Sequence, residues 1–276
     1  MNHLSKKGIP PIVLVFAGND PSGGAGLCAD IQTLASQDCH TAPVVTCLTI
    51  QDTCNVIENI PLSGAKVAAQ AEAVLADMSI TACKIGLLGS IEIVEAIQYV
   101  LLKYPQLPVV LDPVLVAGGG QSLTQGDICE AIIKKLLPLT QIITPNSLEV
   151  RTLTGITQSL DAAALRLMDY GCQYVCVTGT HEDTLTVKNT LYGHGRPIQS
   201  WDWPRLPYSY HGSGCTFAAS LAGLLAQGQK IQTAVYQAQY YTWTTLQQGY
   251  QPGHGQALPY RFFKGEMGKG KEVTRK

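Results

Sequence analysis

Six short apolar runs punctuate the chain: "IVLVFA" (12–17), "VVTCLTI" (44–50), "CKIGLL" (83–88), "VVLDPV" (109–114), "QIIT" (141–144) and "YVCVTG" (174–179). Each is continuous and rich in β-branched residues, as strands covered on both faces tend to be, so buried parallel strands are predicted. Helix-length segments separate them. Within 24–37, Leu27, Ile31 and Leu34 recur at i, i+4 and i+7, which predicts a shared buried face. The segment from Asp161 to Tyr170 opens on an N-cap residue type and stops at Gly171, suited to a C′ position. Residues 184–203 alternate more and predict antiparallel strands at one edge. Helices are predicted over 215–227, ended by Gly228, and over 231–248, ended by Gly249.

Strand, helix, strand in repetition predicts an α/β fold with a mostly parallel sheet and right-handed crossovers. No linker or repeat divides the 276 residues. One domain over 1–260 is therefore expected, followed by a basic, aperiodic tail over 261–276, "RFFKGEMGKGKEVTRK".

Composition narrows the function. Charged residues are only 14% and the net charge is −1, so there is no field to hold a polyanion, and nucleic acid is excluded as a partner. The first ten residues are followed by only about eight apolar ones, too few for a signal h-region or a membrane span, so a cytoplasmic location is expected. The nine cysteines are odd in number and include no CxxC pair, which argues against a disulfide framework or a zinc site.

Nucleotide sites have two common sequence signatures. GxGxxG does not occur. A GxxxxGK match at Gly265–Lys271 is followed by Glu272 and lacks a preceding strand, so it is not a P-loop. Two other glycine turns remain. "GNDPSGGAG" (18–26) links a predicted strand to a predicted helix. In "HGSGCTF", Gly212, Ser213 and Gly214 open another helix, whose first N–H groups have no internal partners and carry the positive end of the helix dipole. Glycines there admit a phosphate; equally, Ser213 could be a simple N-cap. Cys215 lies in the first turn, where the dipole is expected to lower a thiol pKa toward neutrality and so suit it to take a proton from an alcohol.

Taken in order, "VFAGNDPSGGAGLCADIQTL", "VVTCLTIQDT", "KIGLLGS", "VVLDPVLVAGGG", "ITPNSLEV" and "HGSGCTFAASLAGLLAQG" resemble the hydroxymethylpyrimidine/phosphomethylpyrimidine kinases of thiamin biosynthesis, within the ribokinase-like superfamily. The resemblance covers roughly residues 10–250 and implies a three-layer α/β/α fold with a small antiparallel edge. It implies ATP and Mg2+ as cofactors, a small pyrimidine as substrate and a homodimer. By the same resemblance Cys215 is the base, and the amides of Gly212, Ser213 and Gly214 form an anion hole. Gly18 and Ala25 let a flat ring lie against the backbone, Asp30 accepts from the ring amine and Gln51 pairs with ring nitrogens. Thr49 and Leu87 stand in the pocket wall where the family usually has an aliphatic residue and a Met. Asp112, Asn146 and Glu149 help hold Mg2+ and its waters, with Asp112 and Glu149 as the metal-side carboxylates. Asn146 and Glu149 also have the spacing of a capping box.

Two lysines usual in the family are absent. Gly118 stands in one place and Thr178, on the nucleotide side, in the other. Lys84 and Lys188 are near relevant strands in sequence, and nothing in the sequence makes either a replacement. The expected activity is ATP-dependent phosphorylation of 4-amino-5-hydroxymethyl-2-methylpyrimidine and of its monophosphate. The alternatives are a pyridoxine or pyridoxal kinase, or a weakly active pyrimidine-binding protein on the same fold.

Overall fold

Strand β1 (Ile12–Asn19) is buried from Ile12 through Gly18, and the molecule is arranged around it. The structure is a computed structural model that describes residues 8–115 and 128–263. After β1 come α1 (Gly26–Ser36), β2 (His40–Gln51), β3 (Val56–Pro61), α2 (Gly64–Asp77), β4 (Ile80–Ile85), α3 (Ile91–Leu101) and β5 (Val109–Leu111). Then follow α4 (Ile128–Ala131), which runs on through a π turn and a 3-10 turn to Leu139, β6 (Ile142–Ile143), α5 (Ser147–Thr154), α6 (Leu160–Asp169) and β7 (Tyr174–Thr178). The chain closes with β8 (Thr186–Gly193), β9 (Arg196–Pro204), α7 (Ser213–Ala226) and α8 (Ile231–Gln247).

The nine strands form one sheet in the order β3-β2-β1-β4-β5-β6-β7-β8-β9. Strands β2, β1, β4, β5, β6 and β7 are mutually parallel, whereas β3 lies antiparallel on β2, and β8 and β9 antiparallel beyond β7. A right-handed crossover places its helix on one face when the chain moves one way along the sheet and on the other face when it moves back. The path β1–α1–β2 runs one way, and the path from β3 to β7 runs the other. Accordingly Leu14 and Phe16 pack with Val67, Ile93, Val150 and Ala163 of α2, α3, α5 and α6. Val13, Val15 and Ala17 pack with Leu27, Leu34, Phe217 and Val235 of α1, α7 and α8 on the opposite face. The direction reverses between β1 and β4, and that switch opens a crevice at the carboxyl ends of the strands.

The six predicted runs are all strands, and the antiparallel strands expected over 184–203 are β8 and β9. The sequence reading missed β3, whose alternating half-exposed residues carry no continuous apolar signal, so the sheet has an antiparallel part at each edge. Ile31 is 42% exposed rather than buried with Leu27 and Leu34, because Asp30 takes the inward position on α1. Helix α6 is capped by Ser159, whose side chain accepts from the Ala162 N–H, two residues before the expected Asp161. The packed chain also runs past the expected start of the tail: Arg261 is 2% exposed, and Phe263 packs against Tyr241.

Candidate functional site

Most of the residues singled out above line up along one edge. Thr49 and Gln51 end β2, and Gly18 ends β1. Lys84 and Leu87 lie at and just past the end of β4, Asp112 follows β5, Asn146 follows β6 and Thr178 ends β7. Because neighbouring parallel strands end on the same side, residues far apart in sequence arrive side by side. An isolated bridge between Asn146 and Thr178, with the Thr178 N–H donating to the Pro145 carbonyl at 2.9 Å, ties the last two together.

The first glycine turn is built on Asp20. Its Oδ1 accepts from the Ser22 N–H at 2.8 Å, and its Oδ2 from the Ala25 N–H at 2.8 Å, next to His211 Nε2 at 2.8 Å. Gly26 then enters α1 at φ +55° with its missing side chain against the Gly18 carbonyl, a position that only glycine fills without strain. A methyl at Gly18 would lie 2.7 Å from Cys47 Sγ and 3.1 Å from Leu87. Close packing of β1 on its neighbours requires a glycine there.

The second turn closes on the first. Gly212, at φ +81°, is the N-cap of α7, and its Cα faces the Gly24 carbonyl so closely that any side chain would collide. Arg261 fastens the junction: Nη2 donates to the Gly24 carbonyl at 2.5 Å, Nε to Thr216 Oγ1 at 3.0 Å and Nη1 to Gln32 Oε1 at 3.1 Å. Ser213, which the sequence offered either as an anion-hole residue or as an N-cap, is the first helical residue. The early amides of α7 therefore come next to the turn that follows β1.

Beneath these turns lies a set of buried charges. Lys84 Nζ donates to Asp30 Oδ2 at 3.0 Å, with both side chains 0% exposed. Burial alone would lower the ammonium pKa, but Asp30, with Cys215 and Asp112 beyond it, raises it and keeps Lys84 charged. Asp30 is thus enclosed, with Oδ2 on Lys84 and Oδ1 buried without a hydrogen-bond partner. Lys84 in turn is not a surface cation for phosphate, and Lys188 is exposed on β8 opposite Asp202. Gly118 lies outside the described residues.

Asp112 faces the start of α7. Its carboxylate oxygens lie 3.7 and 3.8 Å from where a methyl on Gly214 would sit, and Cys215 donates to it. The Cys215 thiol is not near neutrality as expected. Burial pushes it up to about 12, with Asp112 and Asp30 adding to the effect against Lys84, so desolvation outweighs the helix dipole. Burial also pushes Asp112 up to about 6 despite Lys84, and Glu149 up to about 8 with Asp112 adding. The capping box is present: Asn146 Oδ1 accepts from the Leu148 and Glu149 N–H groups at 2.9 Å, and Glu149 Oε2 accepts from the Asn146 N–H at 2.8 Å.

The donor set fits a hard divalent cation. Asp112 Oδ2 is buried without a hydrogen-bond partner, and Asp112 raises the pKa of Glu149, a charge conflict that a cation would relieve. Among the described residues no group of three or more His, Cys, Asp or Glu side chains is placed to hold a metal ion by itself. An ion here would take its other ligands from water and phosphate, as Mg2+ commonly does.

Sequence reasoning missed Asp20, His211 and Arg261. Asp20 before "PSGGAG" has the signature of a side chain that caps its own turn, so it could have been read. Arg261 carried no local signal. A cleft of about 340 Å3 lined by Cys54, Tyr208, Gln251 and Gln256 shares none of these site residues, so the charges and glycine turns locate the chemistry better than cavity size does.

A sheet that opens at its β1/β4 switch, with a glycine-rich helix start facing an aspartate, defines a kinase of ribokinase-like fold. The chain superposes on pyridoxal kinase from Staphylococcus aureus in complex with ADP at a TM-score of 0.83, with 29% identity over 93% of this chain and 95% of that one. Phosphomethylpyrimidine kinase from Clostridium difficile superposes at 0.73, with 31% identity over 84% and 97%. A hydroxymethylpyrimidine/phosphomethylpyrimidine kinase of Haemophilus influenzae is 39% identical over 235 residues, 81% of this chain and 86% of that protein. Residues 20–260 match the phosphomethylpyrimidine kinase family, and the chain belongs to it.

Proposed function

We propose that this kinase transfers the γ-phosphoryl group of ATP to the primary alcohol of 4-amino-5-hydroxymethyl-2-methylpyrimidine, and then a second group to the resulting monophosphate. The observation that carries this reading is the junction of the two glycine turns, which sets the amides of Gly212–Cys215 beside Asp112. Phosphoryl transfer depends mainly on positioning and on charge stabilisation, and helix-start amides supply both to the transferring group. Asp112 and Glu149 would hold Mg2+ on the phosphate side, where the ion offsets phosphate charge. Asn146 orients Glu149 through the capping box, and Thr178 lines the same side.

At the alcohol, Cys215 Sγ takes the proton of the attacking hydroxyl. A resting thiol at about 12 is a poor base, so it must first give its own proton to solvent, a loss that the nearby Lys84 charge favours while Asp112 stays ionised for the metal. Gln51 contacts the ring. Leu87 and the Ala25 end of the first turn bound its pocket, and Lys84–Asp30 supports the floor from below. We further propose that the chain is a cytoplasmic homodimer joined through its β2–β3 edge. No helix among the described residues is long and apolar enough to cross a membrane.

The test is ADP release by purified protein with ATP and Mg2+, offering the pyrimidine alcohol and its monophosphate separately, with Cys215→Ala alongside. The second step attacks with an oxygen that is already ionised, so it needs a base less. Cys215→Ala should slow the first step about a hundredfold and the second far less. Equal losses in both steps would remove Cys215 from the proton's path, and no ADP release with either substrate would overturn the assignment.

A further inference from the structure

Thr49 and Gln51 stand two residues apart on β2 and therefore share one face. Thr49 Oγ1 lies 2.9 Å from the Asn19 carbonyl oxygen and 3.1 Å from one end of the Gln51 carboxamide. The other end of that carboxamide is 2.8 Å from His211 Nε2, which is also 2.8 Å from Asp20 Oδ2.

Counting donors leaves one consistent arrangement. Burial pushes the Asp20 carboxyl up, but His211 and the Ser22 and Ala25 contacts more than offset this and hold it below its ordinary value. Asp20 is therefore ionised and can only accept, so His211 Nε2 carries a proton and donates it. A protonated Nε2 cannot accept from an amide nitrogen. The Gln51 carboxamide must turn its oxygen to His211, whose single Nε2–H it shares with Asp20, and its nitrogen to Thr49. Thr49 has a single hydroxyl proton: it accepts from the Gln51 N–H and donates to the Asn19 carbonyl. Apart from one Gln51 N–H, each proton then has an acceptor, in one run from Gln51 to the backbone of the first glycine turn.

We propose that Thr49, together with the Asp20–His211 pair, is a positioning residue that fixes which end of Gln51 offers a donor to the substrate ring and which an acceptor. The held carboxamide keeps one free N–H and one free oxygen lone pair, side by side. That pair complements a ring nitrogen next to an exocyclic amine, the edge of a 4-aminopyrimidine. A pyridine ring without an amine beside its nitrogen, such as that of pyridoxal, cannot use both. Thr49 thereby has a specific role in a position where the resembling family usually carries an aliphatic residue. The inference rests on the aminopyrimidine reading above.

The experiment compares wild type, Thr49→Val and Thr49→Ser by steady-state ADP release with ATP and Mg2+, using the hydroxymethylpyrimidine and pyridoxal as separate acceptors. Valine keeps the shape and removes the hydroxyl; serine returns it. Thr49→Val should raise KM for the pyrimidine about tenfold, as expected for one lost orienting hydrogen bond, with kcat within about twofold and a clearly smaller loss toward pyridoxal. Thr49→Ser should restore the pyrimidine KM. An unchanged pyrimidine KM in Thr49→Val sinks the inference, as does an equal loss toward both acceptors or a failure of serine to rescue. If wild type does not turn over the pyrimidine at all, the functional reading falls and this inference falls with it. Wild type active on the pyrimidine beside an indifferent Thr49→Val overturns the inference alone.

Discussion

Glu149 serves two neighbours at once. One carboxylate oxygen closes the capping box on Asn146, and the group as a whole shares its surroundings with Asp112. Its carboxyl ionises near 4.5 ordinarily and at about 8 here, raised by burial and then by Asp112. A carboxyl whose pKa rises on folding contributes stability below its unfolded pKa and loses it as pH climbs to the folded value. Glu149→Gln keeps the cap geometry and does not titrate. Without metal, Gln should therefore melt higher than wild type by an amount that grows from about pH 4.5 to pH 8, reaching several degrees, and then levels off. Adding Mg2+ with ADP should narrow the difference by stabilising only the ionised wild-type group. Calorimetric melts across that pH range decide the matter, and equal melting temperatures at pH 8 would mean that the carboxyl carries no such burden.

The residue scale also shows where sequence reading runs short. Asn-x-x-Glu, Gly212 and Cys215 were legible because caps, turns and helix starts are made by neighbours in the chain. The state of the Cys215 thiol was not legible. The helix dipole is visible in sequence, whereas the desolvation and the two carboxylates that outweigh it come from β5 and α1.

At the scale of elements, the decisive contact is between two turns rather than within either. Gly212 in the left-handed region touches the Gly24 carbonyl, and Arg261 ties both to α7 through Thr216. Gly155 offers a control. It ends α5 at φ +71°, but a methyl there meets nothing within 4 Å. Gly155→Ala should cost only the backbone term, about 1–2 kcal/mol. Gly212→Ala should cost that and the collision as well, with a larger drop in melting temperature and loss of most phosphotransfer, because the amides beside Asp112 would have to move. Denaturant melts of the pair, with ADP release, check this, and equal costs for the two substitutions would deny the close approach.

At the scale of the whole molecule, the sheet presents its β2–β3 edge in two ways. One face carries Thr49 and Gln51 toward the first glycine turn. The other leaves Leu48, Ile50 and Ile60 exposed, with Leu48 directly opposite Ile60 across the two strands. Apolar side chains side by side at the end of a sheet are a surface that a second copy can cover. Size-exclusion chromatography with light scattering should give a dimer for wild type and a monomer for Ile60→Lys. A wild-type monomer at micromolar concentration would reject the interface. The Lys84–Asp30 pair belongs to this scale too, since it joins β4 to α1 inside the core. Losing one partner of such a pair typically costs about 3–5 kcal/mol, because the other is left charged and dry.

The amino-acid order by itself determined the strand runs, the two glycine turns, the capping box and the placing of Asp112, Asn146, Thr178 and Gln51 at strand ends. Those features arise from periodicity and from contacts between near neighbours, which local chemistry encodes. Only the tertiary structure decided that Asp30 belongs to Lys84, that Arg261 locks the glycine turns, that His211 reaches Gln51 and that Cys215 rests as a thiol. Burial and charge pairing depend on distance in space, and the reversal between β1 and β4 brings these residues together from every part of the chain.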